Sequence, residues 1–309
     1  MKSKFLFPAY FRPVGICLAL IGFVLGYFVL YQQYSIPVLG FGEPRTGIAA
    51  FFHPPMNLTD ELAIVLIIVG LLFTAFSRLK NEDELTAHLR LDALHWAILF
   101  NYLLIFAAYV INNQLIAKKE ARYIFDFEAW SILSDLNWII YAVISPLLVF
   151  IIRFYYQVYQ YKRDKLSNNQ AFQLFAFPFR SIGKIGFILF FPVLIALPIE
   201  NIYPELGKFL PEALIETAWY ILPLCLFLWA FSKERHEDEY LKQLRLESWQ
   251  LTFYIHYTMV LLATLTIYGA NYVLLLLFTV HLFPLLFLVI YYLKKWSAKA
   301  NSKNSQILN

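Results

Sequence analysis

Charge is scarce in this 309-residue chain: Asp, Glu, Lys and Arg together make up 15% of it. Soluble domains carry about 25% charged residues, so a water-exposed surface of ordinary polarity is excluded. Cysteine is nearly absent. Cys17 and Cys225 both fall in apolar segments, which excludes a disulfide-framed fold and leaves too few thiolates for an iron–sulfur or zinc-ribbon site. The glycines of one early loop, Gly40, Gly42 and Gly47, have no strand-to-helix context, so they make no phosphate cradle. No CxxCH is present, and the helical rise between His256 and His281 places them at different depths, a poor fit to a haem. The sequence thus points to no cofactor, no metal, no nucleic-acid partner and no catalytic set.

Apolar residues are abundant instead, at 60% of the chain, with Phe, Tyr and Trp alone at 19%. Uncharged apolar stretches recur near residues 13–31, 62–76, 93–111, 138–152, 185–199, 217–231, 251–269 and 273–293. With their flanking residues, each approaches the ~17–25 residues that a membrane-crossing helix needs. Runs such as Ala63 to Leu72 are apolar on every face, whereas a β-barrel strand alternates apolar and polar. The expected fold is an all-α integral membrane protein with eight transmembrane helices, and its bilayer is its first partner.

Eight spans place both ends on one side. Segments 1–12, 77–92, 153–184, 232–250 and 293–309 hold 20 Lys and Arg residues, against 5 in the alternate loops. By the positive-inside rule both termini face the cytoplasm, as in a bacterial inner-membrane protein. The one loop that runs against the trend carries Lys118, Lys119 and Arg122, offset by Glu120, Asp126, Glu128 and Asp135. The basic start of the chain precedes an apolar run without a small-x-small cleavage site, so this run reads as a retained first helix. Cys17 makes no lipoprotein box, because Ile16 occupies the position that needs a small residue.

A repeat organises the chain. Residues 75–96 (AFSRLKNEDELTAHLRLDALHW) align without a gap to residues 230–251 (AFSKERHEDEYLKQLRLESWQL), and nine of the 22 positions are identical. Charge is kept where Arg78 meets Lys233, Lys80 meets Arg235 and Asp92 meets Glu247. Upstream, Phe11-Arg12-Pro13-Val14-Gly15 resembles Phe179-Arg180-Ser181-Ile182-Gly183; downstream, Asn101-Tyr102 falls opposite His256-Tyr257. These matches predict two four-helix units, residues 1–165 and 166–309. Four spans each give both units one orientation, hence a parallel repeat about an axis along the membrane normal. The FSKE…EDE…LRLES stretch is similar to one found in small four-helix bacterial membrane proteins, a resemblance that brings no known activity with it.

The repeated motif carries the candidate functional residues. Asn81 is expected to cap the third helix, with Glu82, Asp83 and Glu84 in its first turn facing the positive end of the helix dipole, and Glu237, Asp238 and Glu239 repeating them. Arg90 and Arg245 are expected to reach the inner lipid boundary. These groups either pair as solvated helix-end salt bridges or form a cytoplasmic docking or ionic surface. Glu61 and Glu216 fall opposite one another near the outer ends of short spans, where a carboxylate either reaches water or binds a proton or cation. Asn101, Tyr102, His256 and Tyr257 are intramembrane polar residues whose default use is hydrogen bonding between helices. Gly22 and Gly26 form a GxxxG that suits close packing within the bundle.

Three functions remain open on this reading. An accessory, sensory or scaffolding membrane protein, with a cytoplasmic or membrane protein partner, leads. A transporter or channel with its path between the repeats requires the duplicated polar residues to face each other across that interface. An enzyme acting on lipid or quinone requires an acid–base set at one depth, and is the least supported.

Overall fold

A computed structural model describes residues 5–41, 56–80, 82–118, 138–163, 173–200, 212–235, 238–267 and 270–307. The protein is helical. Its long helices are α1 (Phe11–Gln32), α2 (Thr59–Ala75), α3 (Glu84–Lys118), α4 (Trp138–Lys162), α5 (Phe177–Glu200), α6 (Glu212–Ala230), α7 (Glu239–Thr266) and α8 (Ala270–Ile307). The other regular structure among the described residues is a 3-10 turn at Pro37–Leu39 and a two-residue antiparallel ladder, β1 (Gly40–Phe41) with β2 (Met56–Asn57).

Four described helical stretches are long and apolar enough to cross a membrane: Phe11–Gln32, Glu84–Ala107, Ala142–Lys162 and Leu274–Ala300. At 1.5 Å per residue, the 35 residues of α3 run about 52 Å, well beyond an apolar core of about 30 Å. Helices of that length carry charged turns outside any bilayer they cross.

Two compact units divide the chain, one of residues 1–172 with 257–277 and one of residues 173–256 with 278–309. In the first, α1 lies against α2 through small residues. A methyl group on Gly15 would stand 2.6 Å from the Gly70 carbonyl oxygen, and one on Gly22 would stand 2.9 Å from that of Ala63. Either would force the helices apart. Gly26, the second member of the GxxxG, has only ordinary space around it, 3.9 Å from the Ala63 Cβ. The outer face of α1 leaves Leu20, Ile21 and Val24 more than half exposed, as lipid-facing residues are. In the second unit, Gly183 of α5 meets Cys225 of α6 in the same way, at 2.5 Å from its carbonyl oxygen.

The core of the first unit is aromatic and aliphatic. Phe76 stacks on Phe150, and Phe150 on Phe154. In the second unit Trp249 is sandwiched among Phe231, Phe283 and Phe287, its ring 3.6 Å from that of Phe287 at 9°.

Candidate functional site

The turn between α2 and α3 is short, from Phe76 to Asp83, and it is fastened from two sides. Phe7, ahead of α1, donates its amide to the Phe76 carbonyl and accepts from the Arg78 amide, both at 2.9 Å. The result is a one-residue parallel bridge. In the second unit Phe175 makes the same pair of bonds, to the Phe231 carbonyl and from the Lys233 amide, again at 2.9 Å.

The third helix starts differently from the sequence reading. Asp83 is its cap: the carboxylate accepts from the Thr86 amide at 2.8 Å, while the Thr86 hydroxyl accepts from the Asp83 amide at 2.9 Å. Asn81 lies outside the described residues. The Asp83–Thr86 pair is a reciprocal capping box, which satisfies two otherwise orphaned amides. Asp238 caps α7 likewise, accepting from the Leu241 amide at 2.8 Å. Glu84 and Glu239 are exposed, and Glu239 pairs with Lys242. Glu237 lies outside the described residues.

Arg90 turns into the protein. It is fully buried, and one guanidinium nitrogen donates to the Ala75 carbonyl at 2.9 Å while another reaches Glu82 at 3.1 Å. Ala75 is the last residue of α2, and its carbonyl is one of four that a helix end leaves without an amide. A cation there also meets the negative end of the dipole. The guanidinium lies 4.3 Å from the Phe154 ring centroid, within cation–π range. Arg245 repeats this in the second unit. It donates to the carbonyls of Ala230, the last residue of α6, at 2.7 Å and of Ser232 at 3.4 Å, and lies 5.5 Å from the Tyr291 ring.

Two residues further on, Asp92 accepts from Arg153 at 3.0 Å and from Gln157, both on α4. Its counterpart Glu247 accepts from Lys294 of α8 at 3.3 Å and from Gln243 at 2.7 Å. Helices α4 and α8 thus correspond in their contacts: Phe150 with Phe287, Phe154 with Tyr291, Tyr155 with Tyr292 and Gln157 with Lys294. The sequence signal for this is Phe-x-x-x-[Phe/Tyr]-Tyr, present at 150–155 and 287–292. It stands in a different register from the motif repeat, which is why the gap-free alignment misses it.

Glu234 is a residue that the repeat gave no reason to notice, since Leu79 stands opposite it. Its carboxylate gathers Arg180 at 3.2 Å, Tyr291 at 2.9 Å and Lys295. Burial pushes this carboxyl upward, but the bonds from Lys295 and Tyr291 and the Arg180 charge outweigh it and hold it below the ordinary value.

The intramembrane candidates separate. Glu61 is half-buried at the start of α2, its Oε2 has no hydrogen-bond partner among the described residues, and Asp60 and Tyr272 are its electrostatic neighbours. Glu216 lies in α6, and its side chain is outside the described residues. Asn101 accepts from Ser145 at 2.9 Å. Tyr102 is buried, and the His256 ring packs edge-on against Phe283. Tyr257 donates to the Val143 carbonyl at 2.8 Å, beside the carbonyl that Pro146, inside α4, leaves without an amide. No group of three or more His, Cys, Asp or Glu side chains among the described residues could hold a metal ion. No protein-family model, curated protein or solved structure matches the chain.

Proposed function

We propose that this chain is an eight-span membrane protein built from two four-helix repeats of one orientation, with an accessory, sensory or scaffolding role in a bacterial inner membrane. One observation carries the choice against transport. The duplicated charges Arg90, Asp92, Arg245 and Glu247 each have a partner inside their own unit, the arginines at helix ends and the carboxylates on the side chains of α4 and α8. The repeat reading is supported by the matched bridges at Phe7 and Phe175, the matched arginine caps and the matched contacts of α4 and α8. The residues left outward on each motif turn are Arg78, Lys80 and Glu84 in one copy and Lys233, Arg235 and Glu239 in the other, all exposed. These form the docking surface, and the partner is a cytoplasmic or membrane protein.

Photo-crosslinking amino acids placed at Glu84 and Glu239 test this in native membranes. A discrete adduct is expected at one or both, lost on reversing Arg78 and Lys80 or Lys233 and Arg235 while the protein stays inserted. A proton or cation flux in liposomes that disappears in the Glu61→Gln, Glu216→Gln double variant would replace scaffolding with transport.

A further inference from the structure

Around Tyr292, the second unit gathers hydrogen-bond donors without matching acceptors. The Tyr292 hydroxyl accepts from Arg180 at 2.6 Å and from the Trp229 indole at 3.0 Å. Those two bonds occupy both lone pairs, so the phenolic proton is left to donate, and no described residue takes it. Arg180 gives one terminal nitrogen to Tyr292 and Glu234 and has N–H groups to spare. Four residues on, and therefore on the same face of α5, the Lys184 ammonium lies 5.5 Å from the Trp229 ring and 6.0 Å from that of Tyr292. Among the described residues no carboxylate pairs with it.

The setting of these donors identifies what they meet. Next to Lys184 on α5, Ile182, Ile185, Ile188 and Leu189 are 54–69% exposed, a surface that only lipid chains cover favourably in a membrane protein. An ammonium in such company snorkels to headgroup level, where it meets phosphate. The nearby carboxylate, Glu234, is already bound by Lys295, Tyr291 and Arg180.

We propose that Arg180, Lys184 and Tyr292 form a binding site for the phosphate of an anionic phospholipid in the cytoplasmic leaflet. The lysine supplies charge, the arginine further N–H donors and the tyrosine a fixed O–H, while the α5 isoleucines flank the acyl chains. The first unit lacks the site. Ile16 stands where Lys184 does, and Tyr155 already donates its proton to the Thr74 carbonyl at 3.0 Å. Among the described residues, Arg12 over the Tyr155 ring, at 5.9 Å, is the contact that corresponds to Arg180 over Tyr292.

The cytoplasmic assignment rests on the eight-span reading, and the site itself does not. The test therefore has two arms. Purified full-length protein, delipidated in detergent, is titrated with phosphatidylglycerol or phosphatidylcholine and bound lipid is counted by native mass spectrometry. Wild type should favour phosphatidylglycerol, and Lys184→Gln should weaken its binding about fivefold, the worth of one cation at a lipid surface. Tyr292→Phe should weaken it too, Lys184→Arg should restore it, and Arg12→Gln should leave it unchanged. Equal binding of both lipids, or undiminished binding in Lys184→Gln and Tyr292→Phe, overturns the site. Displacement of phosphatidylglycerol by millimolar inorganic phosphate overturns its assignment to lipid. Separately, labelling of Ser181→Cys in cells should occur from the cytoplasm; labelling from outside overturns the leaflet and the span orientation together.

Discussion

The two buried arginines do one job with different support. Both donate to the last carbonyl of the preceding helix, but the ring beside Arg90 is Phe154 at 4.3 Å, whereas beside Arg245 it is Tyr291 at 5.5 Å. Meanwhile the second unit has an ionic cluster at Glu234, on the same turn, where the first has Leu79. The lesson concerns what a helix end requires. Closing the carbonyl end of a buried helix against the next turn needs a cation in a fixed place, and the neighbours of that cation are free to vary.

Three experiments bear on that comparison. The largest effect is expected on removing the arginines, read as loss of thermal stability in detergent. Arg90→Ala should cost about 3–5 kcal/mol, because it leaves Glu82 without its partner and the end of α2 without its cap. Arg245→Ala leaves the end of α6 without its cap in the same way and should cost about 2–5 kcal/mol. A loss within about 0.5 kcal/mol for either variant would remove that arginine as a fastener.

Next come the helix contacts. Gly15→Ala and Gly183→Ala should each cost about 1–3 kcal/mol by overpacking against α2 and α6, while Gly26→Ala should stay within about 0.5 kcal/mol. A large loss at Gly26 would show that it packs against something other than α2.

The smallest effect is a pH dependence confined to the second unit's cluster. Because the folded state holds the Glu234 carboxyl below its ordinary value of 4.5, its stabilising contribution is complete above that value. It is lost as pH falls from there through the lower folded value. Wild type should therefore lose melting temperature below pH 4.5 more steeply than Glu234→Gln, and parallel curves would remove Glu234 as a fastener.

Much of the helical framework was legible in the sequence. Apolar runs marked the helices, and the acidic turn before a Leu-Arg-Leu marked where α3 and α7 begin. The direction of Arg90 was misjudged, although a signal existed. Its helical neighbours Thr86, Ala87, Ala93 and Leu94 are a small or apolar set, and all are buried; a side chain at the centre of such a face turns inward. The cap lies at Asp83, two positions beyond Asn81; both are competent cap residues, and only Asp83 has a threonine three positions on. Glu234 was illegible because its partners Arg180 and Lys295 lie 54 and 61 residues away. No local pattern encodes such distances.

The bond from Tyr257 to Val143 has a consequence for biosynthesis. It joins residues 114 positions apart, and the first compact unit includes residues 257–277. When α4 leaves the ribosome, the chain that completes this unit has not yet been translated. Its proline-loosened carbonyls therefore wait through the synthesis of α5, α6 and most of α7, and the first unit is completed only after most of the second has been made rather than ahead of it.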